Sequence, residues 1–341
     1  MEGLRVAMLA PISWRVPPRH YGPWELVVSR LTEGLVARGV DVTLFATADS
    51  VTSARLEAVC PRPLAEDPTL DAKVWEGLHI GNAFERSRDA DILHNHYDFL
   101  PLTYSGLVKT PIVMTIHGFS STKILPVYER YAKRVRYVAI SAADRAPRLP
   151  YAATIHHGIP FEEYPLGRGE GGYLLSFGRI HPDKGTAEAI DVARHAGLPL
   201  VIAGIVHDEA YFAREIAPHV DGERVRYVGS VDRTAGATLL GGAVALVHLV
   251  NFAEPFGLAM VEAMATGTPV IATPRGSVPE VVDDGVTGVI VRDPAEAATA
   301  VPRAAMLDRA AVRAQACVRF SRERMVDEYL DLYRKILAGE A

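Results

Sequence analysis

Hydrophobic positions along the chain fall into two alternating kinds of run. Short stretches that are apolar along their whole length are followed by longer segments in which apolar residues recur every three or four positions. Fully apolar short runs are strands buried on both faces, and their alternation with amphipathic segments predicts parallel sheets with helices on both sides. In the first half the pattern predicts strands near RVAMLAP, DVTLFAT, DILHNH, PIVMTIH, YVAIS and ATIHH, with helices over roughly 24–38 and 123–134. A Pro- and Gly-rich passage, GIPFEEYPLGRGEGG at 158–172, then breaks the rhythm and marks a linker. The pattern restarts at YLLSFGRI and continues through LPLVIAG, RVRYVGS, AVALVHLV, PVIAT and GVIV, with helices beginning near Lys184, Asp208, Asp232, Leu258 and Pro294. The last amphipathic segment, SRERMVDEYLDLYRKIL, is surplus to the second sheet and is expected to cross back to the first. The predicted fold is α/β, with two Rossmann-like, doubly wound parallel-sheet domains. Residues 1–165, completed by a C-terminal helix over 321–341, form one; residues 166–320 form the other. Two such sheets facing across a cleft would each offer a ligand the carboxyl ends of their strands.

Composition narrows the partners. With 341 residues, 49% hydrophobic and 23% charged, the chain has material for a large core. A formal net charge of -5 disfavours general binding to nucleic acid, so an anionic ligand has to be met by local cations. Cys60 and Cys317 have no metal-ligand spacing and are expected as free thiols in a reducing cytoplasm. The N-terminal apolar run ends in Pro with no cleavage pattern after it, and AVALVHLV is too short to span a bilayer. YERYAKRVRY at 128–137 is better explained as a solvated helix face than as a membrane contact.

The chemistry concentrates in NFAEPFGLAMVEAMATGTPVIAT, residues 251–273, where Glu254 and Glu262 stand eight positions apart among small and apolar residues. The segment reads as a strand, a turn at EPFG, a short helix closed by Gly267, and the next strand. Glu254 then lies in the loop and Glu262 one turn into the helix. The N–H groups of Phe256, Gly257 and Leu258 open that helix, where unpaired donors and the helix dipole favour an anion such as a diphosphate. Carboxylates beside a diphosphate make sense only as acceptors for neutral hydroxyls, one on a sugar and one on a ribose. FGRIHPDKG supplies the offsetting cations, Arg179 as a fork of donors and Lys184 as a point charge, each close pair worth roughly 4 kcal/mol at an effective dielectric of about 20. Taken alone, the two are equally well ordinary cations of a solvated loop.

Over nearly its whole length the chain resembles the retaining glycosyltransferases of the fourth sequence family, which have the GT-B fold. The resemblance rests on EPFGLAMVEAMATGTPVIAT, on FGRIHPDKG and on RGSVPEVVDDGVTGVIV at 275–291. It implies that Glu254 contacts the donor sugar, Glu262 the ribose, and Arg179 and Lys184 the diphosphate of a nucleoside-diphosphate sugar co-substrate, UDP ahead of GDP. Val228, Gly229 and Ser230 would meet the base through their backbone. His117, in TIHG, would sit beside the reacting anomeric carbon, and the leaving phosphate would take the acceptor's proton, so that neither cofactor nor metal is needed. The family includes sugar transferases that tailor antibiotics of the avilamycin type, although no single residue here singles those out. Two departures stand out. The first loop, YGPWE, has Gly22 followed by Pro23, which removes one donor, and HHGIP has His157 where asparagine is common.

Trp14, Tyr21 and Trp24 crowd the first loop, and His96 and Tyr97 end another strand; as a group they fit a saccharide-like or otherwise bulky acceptor, while packing explains any one of them equally well. Asp89, Asp91, His94 and His96 in DADILHNH are read as helix and strand ends rather than as a metal site, which needs three or more converging ligands. Two rivals remain: a non-catalytic sugar-nucleotide binding protein, and a sugar-nucleotide epimerase of similar fold. Neither the oligomeric state nor the acceptor is legible.

Overall fold

The computed structural model describes residues 3–119 and 121–340. The chain forms two compact units, Met1–Gly158 with Arg322–Ala341, and Ile159–Ser321.

The first unit runs β1 (Arg5–Leu9), α1 (Pro23–Ala37), β2 (Asp41–Phe45), β3 (Arg55–Glu57), α2 (Ala72–Arg86), β4 (Ile92–Asn95), β5 (Ile112–Ile116), α3 (Leu125–Tyr131), β6 (Val135–Ala139) and β7 (Tyr151–Thr154). Its seven strands are all parallel, in the order β3-β2-β1-β4-β5-β6-β7. Every residue of β4 and β5 is buried, as central strands covered on both faces require. The second unit runs β8 (Leu174–Phe177), α4 (Thr186–Ala196), β9 (Leu200–Ala203), α5 (Glu209–Tyr211), β10 (Val225–Tyr227), α6 (Arg233–Gly242), β11 (Ala245–His248), α7 (Leu258–Ala265), β12 (Val270–Ala272), α8 (Val278–Val281), β13 (Gly288–Ile290), α9 (Pro294–Ala305) and α10 (Arg309–Phe320). Its six parallel strands follow the order β10-β9-β8-β11-β12-β13. α11 (Arg322–Leu337) returns to the first unit and packs on α1.

Strand order reverses between β1 and β4 in one sheet and between β8 and β11 in the other. The connections on either side of such a point leave in opposite directions and open a crevice at the strands' carboxyl ends.

Several elements depart from the sequence pattern. The division lies at Gly158 rather than at residue 165, because Ile159 N–H bonds Phe320 O and the N–H groups of Gly167, Gly169 and Gly171 bond the carbonyls of Thr266, Gly241 and Gly242. Those bonds make most of the Pro- and Gly-rich passage part of the second unit. Arg313 fastens the same passage by donating to the carbonyls of Phe161, Tyr164 and Ala265. The segment expected as a helix over 123–134 holds only the seven residues of α3, and the helix near Asp208 breaks after one turn into a π-helical stretch, Phe212–Ile216. β3, α2, α8 and α10 have no counterpart in the expected elements.

Candidate functional site

The second unit's crevice is lined by the loops that follow β8 and β11. Arg179 and Lys184 leave β8; Glu254 and Gly257 leave β11. Two glycines let these loops close on each other. Gly185 has φ 69°, and a Cβ there would stand 2.0 Å from Leu249 O; Gly276 has φ 59°, and a Cβ would stand 2.3 Å from the backbone N and O of Glu254. Asn251 N–H donates to Asp183 O at 2.7 Å, and Ser277 N–H donates to Glu254 O at 2.8 Å. The result brings together two side chains 70 positions apart: Lys184 Nζ donates to Glu254 Oε2 at 2.6 Å, with side-chain exposures of 20% and 7%. The ammonium also lies 4.7 Å above the Phe252 ring. His248, the last residue of β11, places Nε2 3.3 Å from the same carboxylate oxygen. Burial pushes the Glu254 carboxyl up, but His248 and the Lys184 charge outweigh it and hold the group down to about 2.

The other expected donor residues of the second unit lie on its loops and on α7, and not all of them touch this pair. Arg179 is half-buried and forms no hydrogen bond or ion pair with any described residue. Gly257, at φ 82°, caps α7, and Leu258 is its first residue. The Phe256 side chain is not at the surface; it packs edge-on against Phe320 in the core, with ring centroids 5.9 Å apart. Glu262, on α7, accepts from the Tyr164 hydroxyl at 2.8 Å. Val228 exposes its side chain, its N–H is bonded to Ile202 O, and Gly229 O accepts from Gly204 N–H. Two of the backbone groups expected to meet a base are therefore already used by the sheet.

In the first unit the strand ends carry a row of histidines. His96 follows β4, His117 follows β5 and His157 lies beyond β7. His96 Nδ1 and His117 Nε2 share a hydrogen bond of 2.9 Å, and His117 Nδ1 and His157 Nε2 one of 3.4 Å. Behind them His94 contacts Tyr333 OH at 2.6 Å and Thr115 Oγ1 at 2.8 Å. All four rings are buried. Burial holds His117 down to about 3 and pushes His94, His96 and His157 well below the usual imidazole range, so the row is uncharged at neutral pH. With both nitrogens engaged, the His117 ring offers a donor-free wall, and Trp24 stacks on it at a centroid distance of 5.4 Å.

The first loop is held from the start of α1. Gly22 precedes Pro23, and Glu25, only 3% exposed, accepts from Trp14 N–H at 3.1 Å. Burial raises its carboxyl to about 7, against the pull of those backbone donors. Trp14 and Tyr21 meet edge to face at 6.2 Å, whereas Tyr97 is 8% exposed and packs toward His79. Tyr97 belongs to the core more than to an open surface. Among the described residues no group of three or more His, Cys, Asp or Glu is arranged to hold a metal, and no helix is long and apolar enough to cross a membrane. His248 and Tyr164 were not among the expected residues. The lone polar side chain within AVALVHLV was the available signal for the first; nothing local marks the second.

Residues 165–323 match the model of glycosyl transferases group 1, and residues 25–149 match that of Glycosyltransferase Family 4. The chain belongs to the family-four glycosyltransferases. The glycosyltransferase is 28% identical over 378 residues to a glycogen synthase of Mycobacterium tuberculosis, covering 93% of this chain and 90% of that one. It superposes on a glycosyltransferase involved in avilamycin A biosynthesis with a TM-score of 0.71 at 24% identity, over 98% of both chains. It superposes on Anabaena HepE in complex with UDP-glucose with a TM-score of 0.73 at 17% identity, over 98% of this chain and 100% of that one. The glycosyltransferase therefore has the two-domain, Rossmann-like GT-B fold.

Proposed function

We propose that this glycosyltransferase transfers a hexosyl or pentosyl group, with retention, from a nucleoside-diphosphate sugar to a hydroxyl of a glycosylated or otherwise bulky acceptor, without a divalent metal and in the cytoplasm. The observation that carries the proposal is the Lys184–Glu254 pair at the second sheet's switch point, with Arg179 on the same loop as Lys184 and without a hydrogen-bond or ion-pair partner among the described residues. Two cations there suit a diphosphate, and a carboxylate kept ionised suits a sugar hydroxyl that must donate to it. UDP is placed ahead of GDP, in keeping with the UDP-glucose bound in Anabaena HepE. Glu262 serves the ribose. The aromatic side chains Trp14, Tyr21 and Trp24 serve the acceptor.

In the reaction the bond from the anomeric carbon to the phosphate oxygen breaks, and a bond to the acceptor oxygen forms on the same face. The acceptor's proton passes to the departing phosphate, whose growing charge Lys184 and Arg179 stabilise. His117, neutral and held on both sides, shapes the sugar's surroundings rather than exchanging protons. The test is a panel of UDP- and GDP-sugars with saccharide acceptors, with the product's anomeric configuration read by proton NMR. Retention, with a rate unchanged by chelator, is expected. An inverted product, or activity lost to chelator and restored by magnesium or manganese, overturns the proposal.

A further inference from the structure

Arg179 and Lys184 both follow β8, but their backbones are held in different ways. Arg179 is followed at once by Ile180, which pairs with Val206: Ile180 N–H donates to Ile205 O at 2.8 Å, and Ile180 O accepts from His207 N–H at 3.1 Å. Lys184 instead ends the short helical turn Pro182–Lys184. One residue of the loop after β11 ties that turn down. Asn251 N–H donates to Asp183 O at 2.7 Å, and Asn251 Nδ2 donates to Pro182 O at 3.2 Å and to Oε1 of Glu188, in the first turn of α4, at 2.8 Å. The three bonds bracket Lys184 in the chain. The side chain faces two acceptors, a carbonyl and a carboxylate, so only an NH2 group with its two donors fits there. Phe252, the next residue, carries the ring beneath the Lys184 ammonium, and Glu254 accepts from that ammonium. A lysine stem is long and flexible, and its charge is delivered to a fixed point only from a fixed backbone.

We infer that Asn251 is a positioning residue: its two amide donors set the turn from which Lys184 reaches the diphosphate, and it acts through Lys184 and not through Arg179. The inference rests on the assignment of Lys184 to the diphosphate proposed above. It adds that one of the two cations is set in place by strand pairing and the other by a side chain. The loop after β11 then carries both Glu254 and the amide that places the lysine opposite it, so the two parts of the donor site share one mount.

Titration calorimetry of the full chain with uridine, guanosine and adenosine diphosphates tests this. Asn251→Ala should weaken binding of the nucleotide that the wild type takes by about fivefold, as for the loss of one net hydrogen bond. Asn251→Asp keeps the shape but turns oxygens on the Pro182 carbonyl and the Glu188 carboxylate, and should bind more weakly than Asn251→Ala. Where circular dichroism shows Asn251→Asp unfolded, Asn251→Ser, with a single donor, takes its place and should fall between the wild type and Asn251→Ala. Double variants read the coupling to Lys184. In Lys184→Gln, which keeps a donor for Glu254 but has no charge for a phosphate, adding Asn251→Ala should change Kd by less than about twofold; in Arg179→Gln it should cost the full loss again. A general loosening of the second unit would instead weaken binding alike in both backgrounds. Wild-type affinity in Asn251→Ala or Asn251→Asp, a loss undiminished beside Lys184→Gln, or one that vanishes beside Arg179→Gln overturns the inference and leaves the donor-site assignment standing. If none of the three nucleotides binds the wild type, or if Lys184→Gln binds as the wild type does, the assignment of Lys184 to the diphosphate fails and the inference falls with it.

Discussion

At the strand ends of the first unit the buried polar side chains are histidines bonded to one another; at those of the second they are a lysine, a carboxylate and one histidine. Both groups lie beside a reversal of strand order; the histidines and Glu254 are buried, and Lys184 is one-fifth exposed. Their electrostatics are opposite. Burial strips charge from the histidine row, whereas in the second unit mutual attraction overcomes burial and keeps Glu254 ionised. A neutral row imposes shape with little field, which suits hydroxyls. An ion pair stores a field that an arriving anion can redirect. Two sheets of the same topology therefore differ in what their crevices can ask of a ligand.

The contrast is tested most sharply by removing one member from each group. Lys184→Ala leaves a buried carboxylate with only His248 beside it and should cost about 3 kcal/mol of stability, at the low end for a buried pair because the lysine is one-fifth exposed and His248 remains. His117→Asn removes no charge and should cost less than half of that. Denaturant melts of both variants decide the matter, and equal losses would erase the distinction.

Acid provides the second test. A histidine held at about 3 when folded but near 6.5 when unfolded binds fewer protons in the native state across that interval, so stability falls as pH drops from 6.5 toward 3. At about pH 5.5 His117 alone should cost about 1.4 kcal/mol. Glu25, raised to about 7, acts in the opposite direction between 7 and 4.5, and Glu254 contributes only as pH falls from 4.5 toward 2. The melting temperature should therefore drop between pH 6.5 and 5, and His117→Asn should flatten the slope. A flat wild-type profile would mean that the row is not held neutral by burial.

Much of the fold is legible in the sequence because strands covered on both faces must be apolar throughout, as β4 and β5 are. α2 is not, since AKVWEGLHIGNAFER contains two glycines, leaves Val74 and Leu78 exposed, and buries only His79, Ile80, Ala83 and Phe84. α10 buries just Val312, Ala316 and Phe320, a stripe too narrow to read against its charged neighbours. Glu254 and Lys184 are recognisable by their local surroundings, but their pairing is not, and His248 and Tyr164 acquire meaning only from partners elsewhere in the chain. Tyr164→Phe gives the smallest expected effect. It removes the hydroxyl that orients Glu262 and should weaken nucleoside-diphosphate binding by about 1 kcal/mol, roughly fivefold in Kd. Glu262→Ala should do the same or more, whereas Glu254→Ala should mainly lower turnover. Unchanged affinity in Tyr164→Phe, measured by calorimetry, would remove the tyrosine from the donor site.

The return of α11 to the first unit has a consequence for biosynthesis. Tyr329 and Tyr333, which bond Thr115 and His94 beneath the histidine row, are translated after the whole of the second unit. All strands of the first sheet leave the ribosome before the second unit, but its polar interior has no seal until α11 has followed, and the entire second unit is made in between. The later-encoded unit is thus the first that can complete its fold, and the earlier one waits with two buried hydrogen-bond partners missing.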